Sequence, residues 1–197
     1  MKILLLPLII FSSTLLAQEV ASDDKTNKEY TYLGATYNGT TDLDVLSNTL
    51  ELGPGFSLSF GHVWTVSEKF NVSFEGEYFD MGDIERYSSY RGNYARSEVS
   101  VSSLSVNIRP IYKPMNNGFY IAAVAGIGQY KIDASVDSNI LPSGSGDSTD
   151  LGHSLGVELG YEFERFVLNL GYRMMYTAPD DIAVNLSTVS FGGRYKF

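Results

Sequence analysis

The chain of 197 residues has no cysteine, one tryptophan and two histidines. Without cysteine there is no disulfide and no lipid attachment through a thiol. With so few histidines besides, there is nothing from which to build a transition-metal cluster, so neither a metal nor a cofactor is expected. Basic residues are scarce as well: 14 Lys and Arg stand against 23 Asp and Glu, a net charge of −9. That balance excludes nucleic acid as a partner, because phosphate binding needs a basic face. Long hydrophobic runs are missing too. The most apolar stretch, residues 3–11, is interrupted by Pro7 and followed by Ser12, Ser13 and Thr14, short of the roughly 20 residues that span a bilayer as a helix. Its setting is that of an export signal, with Lys2 ahead of it and small or polar residues up to Ala17. Residues 1–17 therefore read as a signal peptide cleaved before Gln18, and residues 18–29, polar and charged, as a short periplasmic tail. An exported chain with no helical span belongs in the periplasm or the outer membrane.

What the chain does have is 14 tyrosines, 11 phenylalanines and 19 glycines, and a period of two. The last stretch shows it best. Val189, Phe191, Gly193, Tyr195 and Phe197 alternate with Ser190, Gly192, Arg194 and Lys196, so a β-strand carries aromatics on one face and cations on the other. A soluble sandwich that turned those cations into its core would incur a large desolvation cost. A membrane barrel places the aromatics against lipid and the charges in a polar lumen. Seven further strands follow the same logic, over residues 30–37, 55–64, 70–78, 97–112, 119–130, 151–163 and 166–176. Connections at residues 65–69, 113–118 and 164–165 are tight, whereas residues 38–52, 81–96, 131–150 and 177–183 read as loops. In the fourth strand Val99 and Val101 are out of phase with Leu104, Val106 and Ile108. One added residue near Ser102-Ser103 would reconcile them, so a β-bulge or the membrane boundary is expected there.

The rhythm of short and long connections predicts an all-β fold, an eight-stranded antiparallel up-and-down transmembrane barrel with short periplasmic turns and longer extracellular loops. An even strand number puts both termini on the periplasmic side. A soluble lipocalin-like barrel is the alternative that the strand phases alone leave open.

Two resemblances bear on this. Ser190, Gly192, Tyr195 and Phe197 resemble the C-terminal signal of bacterial outer-membrane barrels, which implies recognition by the barrel-assembly machinery. The opening strand Tyr32-Leu33-Gly34-Ala35, the run from Leu168 to Arg173 and the terminus together resemble the small OmpA-like family of eight-stranded outer-membrane barrels, which includes opacity-type and Ail-like surface proteins. The resemblance covers the whole mature chain, with the barrel itself over residues 30–197. It implies an integral outer-membrane location and partners among outer-membrane lipid and lipopolysaccharide. For activity it points to several roles, since one fold serves many.

The polar faces collect Glu75, Glu77, Glu158 and Glu162 against Arg109, Arg173, Arg194 and Lys196. In a barrel just wide enough for its own side chains these charges must pair, which predicts an ion-pair network plugging the lumen. The alternative is a gate, opened by exchange of partners between Glu75 and Arg109 or Arg173, that would make the protein a small ion channel of porin-like kind. Catalysis is not expected. His153 and Ser154 are adjacent and so point to opposite faces of a strand, which denies the pairing a nucleophile needs; a lipid-modifying barrel enzyme is disfavoured on that ground. His62, near Trp64, reads as an interface residue. Asp180-Asp181 has no histidine partner, and the aspartates of the other loops lack Ca²⁺-loop spacing. Within residues 81–96, Arg86, Tyr87, Tyr90, Arg91 and Tyr94, with Arg96, form a cluster of the residue types enriched at binding hot spots. The sequence thus leads to a non-enzymatic surface barrel, structural or adhesin-like, presenting its extracellular loops to an external or host ligand.

Overall fold

A computed structural model describes residues 29–45, 48–115, 117–139, 142–179 and 182–197. The expected signal peptide, all but the last residue of the expected tail, and Asp180-Asp181 lie outside the described residues. Among the described residues nine strands follow one another: β1 (Tyr30–Val45), β2 (Asn48–Leu52), β3 (Gly55–Ser67), β4 (Phe70–Tyr90), β5 (Asn93–Tyr112), β6 (Phe119–Ser138), β7 (Gly144–Glu162), β8 (Phe166–Thr177) and β9 (Val184–Lys196). Every neighbour is antiparallel, and β1 pairs with β9 to close the sheet on itself. Because β2 pairs with the second half of β1 and β3 with the first half, β2 and β3 are one stave broken at Gly53-Pro54. The barrel therefore has eight staves.

Three of the four segments read from sequence as loops are not irregular. Residues 38–52, 81–96 and 131–150 largely continue the strands, as ribbons that run on past the barrel wall. Past the buried Leu43, Leu52 and Met81 their polar composition reflects exposure on both faces, and composition cannot tell a solvated ribbon from a loop. The β4–β5 ribbon turns in two residues, Arg91 (φ 50°) and Gly92 (φ 83°), between the registered pair Tyr90 and Asn93. Such a positive-φ pair matches the twist of the flanking strands.

One belt divides the molecule into a turn end and a ribbon end. In β1 the register against β9 shifts between Asn38 and Thr41, the second stave breaks at Gly53-Pro54, and β4 shifts between Asp80 and Asp83. Gly82 sits in that last bulge at φ 85°, where an added Cβ would lie 2.1 Å from the carbonyl oxygen of Gly53. Each irregularity turns its strand over. Leu33 and Tyr37 point outward below the belt, while Leu43, at the same parity, is buried above it. Of the bulge or membrane boundary expected near Ser102-Ser103, the bulge is not in β5, and the belt passes there instead. β5 pairs with β6 without a shift, so Val101 is buried while Leu104 and Val106 face outward. The register shift opposite Ser100–Ser102 belongs to β4.

Outside, the wall is hydrocarbon with aromatic rims. Trp64, Phe70, Tyr112, Phe166 and Phe197 are exposed at the turn end and Tyr37, Phe56, Tyr78 and Phe191 nearer the belt, the placement of an aromatic girdle.

Candidate functional site

The interior is filled in three layers. In the middle is the charged one. Arg194 grips Glu158 through both terminal nitrogens, at 2.9 Å each, the paired geometry that guanidinium and carboxylate favour. Arg109 pairs with the same carboxylate and lies 3.5 Å from Glu75. Arg173 pairs with Glu77 and rests over the Phe79 ring at 5.3 Å. The structure thus brings Glu75, Glu77, Arg109, Glu158, Arg173 and Arg194 together, and all but half-buried Arg173 are buried. The remaining two charges of the sequence set stand apart. Glu162 and Lys196, 3.9 Å apart, sit at the turn end with Lys113, whose Nζ is 3.0 Å from Glu162, and with Tyr30, which donates to Glu162 at 2.9 Å.

Uncharged partners complete the layer, and the search for charges overlooked them. Tyr32 donates to Glu75 at 2.6 Å, Tyr120 to Glu158 at 2.5 Å, and Asn107 to Glu77 at 2.7 Å. The sequence signal for them was there, because each lies on the polar face of its strand. The two tyrosines also face glycines in register, Tyr32 opposite Gly61 and Tyr120 opposite Gly160. A Cβ on Gly61 would come within 2.5 Å of the Tyr32 hydroxyl, and one on Gly160 within 2.2 Å of the Tyr120 ring. Glycine is needed there so that a ring can lie flat on the neighbouring backbone. Satisfaction is not complete: Nε of Arg109 and of Arg194, and Oδ1 of Asn107 and of Asn169, are buried without a partner.

Apolar layers cap the charges at both ends, and the sequence reading did not foresee them. Towards the ribbons, Leu43, Leu52, Phe79, Met81, Val101, Tyr130, Met175, Val184 and Leu186 form one buried cluster contributed by seven strands. Towards the turns, Val63, Ile111, Ala122 and Val167 close over Tyr32 and Tyr120. The charged layer that holds Glu75, Glu77, Arg109, Glu158, Arg173 and Arg194 lies between them. Ions sealed in this way are held by one another, because a lone charge there would lack both water and a counter-charge.

The second group of sequence-selected residues is divided. Once residues 81–96 form a ribbon, the alternation of its strands separates Arg86 from Tyr87 and Tyr94. Tyr87 and Tyr94 stack on the outward face, with ring centroids 6.4 Å apart and planes 18° from parallel. Arg86 lies on the opposite face, Arg91 is in the turn, and the backbone of Tyr90 closes the ladder opposite Asn93. Arg96 joins the outward face instead, held by Glu85 at 2.8 Å. Its partner is 11 residues away in sequence and across the ribbon.

His153 is exposed beside Tyr176, and Ser154 is buried in the lumen, on opposite faces of β7. His62 packs on Trp64 at 4.4 Å on the outer wall. Among the described residues no group of three or more His, Asp or Glu could hold a metal ion. In the last strand Ser190 and Gly192 face inward, while Tyr195 and Phe197 are on the outer rim, where the Phe197 amide donates to the Thr31 carbonyl at 2.9 Å.

Residues 3–197 match the family described as outer membrane protein beta-barrel domain. Among solved structures the fold is similar to that of Ail, the attachment invasion locus protein of Yersinia pestis, in complex with the heparin analogue sucrose octasulfate. The two are 18% identical over 86% of this chain and 99% of that one, with a TM-score of 0.56. Neisserial surface protein A is 17% identical over 85% and 97% of the two chains, with a TM-score of 0.54. A major outer membrane protein from Thermus thermophilus is 12% identical over 86% and 100%, with a TM-score of 0.52. No curated protein matches the sequence. At such identities the likeness to these structures is one of fold, and with the family match spanning nearly the whole sequence, the chain belongs to the outer membrane protein β-barrel family.

Proposed function

We propose that this protein is a non-enzymatic, non-conducting surface barrel that anchors in the outer membrane and offers its ribbons for binding. The observation that carries the reading is the closed interior. Two apolar layers separate the middle layer's ion pairs from both mouths, so those charges act as internal cross-braces between strands, with no aqueous file from end to end. That arrangement weighs against the ion-channel alternative, since exchange of partners within the charged layer would open neither apolar cap. The ribbon end is the external one on this reading. Both described termini and the tight turns gather at the other end, which matches short periplasmic turns and longer external connections in such barrels. The stack of Tyr87 on Tyr94 beside Arg96 and Glu85 supplies a feature suited to recognition on an otherwise acidic ribbon end. Ail, with the same fold, has been seen with a ligand, which supports binding as the task. The inward Ser190 and Gly192 with outward Tyr195 and Phe197 serve recognition by the assembly machinery, and lipopolysaccharide is the natural neighbour of the outer rim.

Planar bilayer recordings on the purified barrel, together with binding of intact cells to candidate surfaces, test this. The reading predicts no stepwise conductance, with or without Arg173→Ala, and loss of cell binding when residues 86–96 are replaced by a short Gly-Ser turn. Regular single-channel steps in the wild type would overturn it.

A further inference from the structure

Below the belt the outer face of β5–β7 is hydrocarbon, with Leu104, Val106, Ile127 and Leu155 exposed on it. The register among these three strands runs on unbroken, so the same face continues above the belt. There its residues change. Along β5 it carries Tyr94, Arg96, Glu98 and Ser100, and alternate positions on a strand are roughly 6.7 Å apart. From Tyr94 to Glu98 is thus on the order of 13 Å. Tyr87, 65% exposed, stacks on Tyr94 from the neighbouring strand. Glu85 fixes the Arg96 guanidinium through two contacts, at 2.8 and 2.9 Å. Next to Glu98 the face opens into a cleft of about 220 Å³ lined by Glu98, Ser100, Asp133, Ser135, Ser145 and Asp147. Asp133 and Asp147 stand directly opposite each other, an unfavourable pairing of like charges, and Lys131 holds Asp133 at 2.7 Å.

A ligand for this face must tolerate three carboxylates, must use acceptors and donors mixed over a short distance, and must offer a flat apolar side to the tyrosines. A sulfated or phosphorylated polymer fails the first condition, because like charges set against each other across an interface repel strongly. A basic peptide offers the tyrosines no flat apolar side, and Arg96 and Lys131 already occupy Glu85 and Asp133. A sugar without charge satisfies all three: its hydroxyls both donate and accept, and its C–H face stacks on aromatic rings. We infer that the outward face of the β4–β7 ribbons binds an uncharged oligosaccharide, with Tyr94 and Tyr87 as the stacking platform and the Glu98–Asp133–Asp147 cleft as the hydroxyl-binding end. The face looks sideways, flush with the lipid-facing wall, so the glycan is one standing beside the barrel on the cell's own surface. This deepens the binding role proposed above and rests on the ribbon end being external.

The test uses the full barrel in lipid nanodiscs and oligosaccharides released from the surface of the producing cells, separated into uncharged and anionic fractions, with a lysine oligomer as third probe. The uncharged fraction is expected to be retained. Tyr94→Ala and Asp147→Ala should each weaken retention about tenfold or more, the loss expected of a contact worth roughly 1.4 kcal/mol, while Tyr94→Phe keeps it because the ring face does the stacking. All three variants should keep the heat-modifiable gel shift of a folded barrel. Retention of only the anionic fraction, of only the lysine oligomer, or of nothing would overturn the inference, as would unchanged binding by Tyr94→Ala. A barrel that stays non-conducting and binds cells through its ribbons yet retains no uncharged sugar would refute the sugar assignment alone.

Discussion

Between Tyr32 and Asn107 the barrel keeps hydrocarbon outside and charge inside. A few residues further along the same strands, between Leu43 and Leu186, the inside is hydrocarbon and the outside polar. The cylinder is the same and must be filled in both places, since a barrel of eight staves has room for little but its own side chains. What differs is the surrounding solvent. Against lipid the outer face has to be apolar, and the alternation of a strand then hands the polar residues to the lumen, where they survive only as satisfied pairs. Beyond the lipid the outer face can be polar, and the interior reverts to the packing of a soluble core. Membrane-style and water-style patterning can therefore share a strand, provided something turns the pattern over at the boundary.

The sharpest way to break the comparison is to remove the residue on which most of the charged layer converges. Glu158 faces Arg109 and Arg194 together; Glu158→Ala should cost about 3–5 kcal/mol, the usual penalty for stranding a buried charge, read as a lower urea midpoint for barrel unfolding in lipid vesicles. The apolar layer should yield to an ordinary cavity instead. Leu186→Ala is expected to lose about 3 kcal/mol in the same assay, with the charged layer intact.

The boundary itself offers the next test. Gly82→Ala places a Cβ at positive φ against the Gly53 carbonyl and should cost about 1–3 kcal/mol, with exchange of backbone amides faster at Gly53, whose N–H donates to Asp83 at 2.7 Å, than in the lower barrel. The smallest effect belongs to the ribbon surface. Arg96→Ala removes a half-exposed pair with Glu85 and should change stability by less than about 1 kcal/mol, leaving the urea midpoint nearly where it was.

How much of this was legible depended on what each strand did at the boundary. The lipid-facing half was plain, because Phe70, Val72 and Phe74, or Phe191 and Tyr195, alternate against polar neighbours, and all the charges of the middle layer could be named from their parity. The inversion was misread for a definite reason. In β1 the apolar residues Leu33, Tyr37 and Leu43 keep one parity while the backbone turns over between Asn38 and Thr41, so the sequence looks continuous where the chain is not. In β5 the parity changes between Val101 and Leu104, which suggests a bulge or the membrane boundary; the backbone is regular and the residue chemistry switches at the belt, the second of the two. Reading apolar as outward throughout assigns the irregularity to the wrong strand. The ribbon cluster divided for a related reason: Arg86, Tyr87 and Tyr94 are close in sequence, but a strand deals neighbours to opposite faces, and the register of β4 on β5 puts Arg96 beside Tyr87 and leaves Arg86 behind.

Hydrocarbon seals the lumen above its ion pairs, and the absence of native cysteine makes that seal directly measurable. Single cysteines at position 186, inside the apolar cluster, at position 104, on the lipid-facing wall, and at position 98, on the ribbon, would be exposed to a water-soluble maleimide and to a lipid-soluble one in intact vesicles. Glu98→Cys is expected to react with the soluble reagent, Leu104→Cys only with the lipid-borne one, and Leu186→Cys with neither while the barrel stays folded. Rapid labelling of Leu186→Cys by the water-soluble reagent would mean that water reaches the charged layer, and the closed barrel would have to be read as a pore.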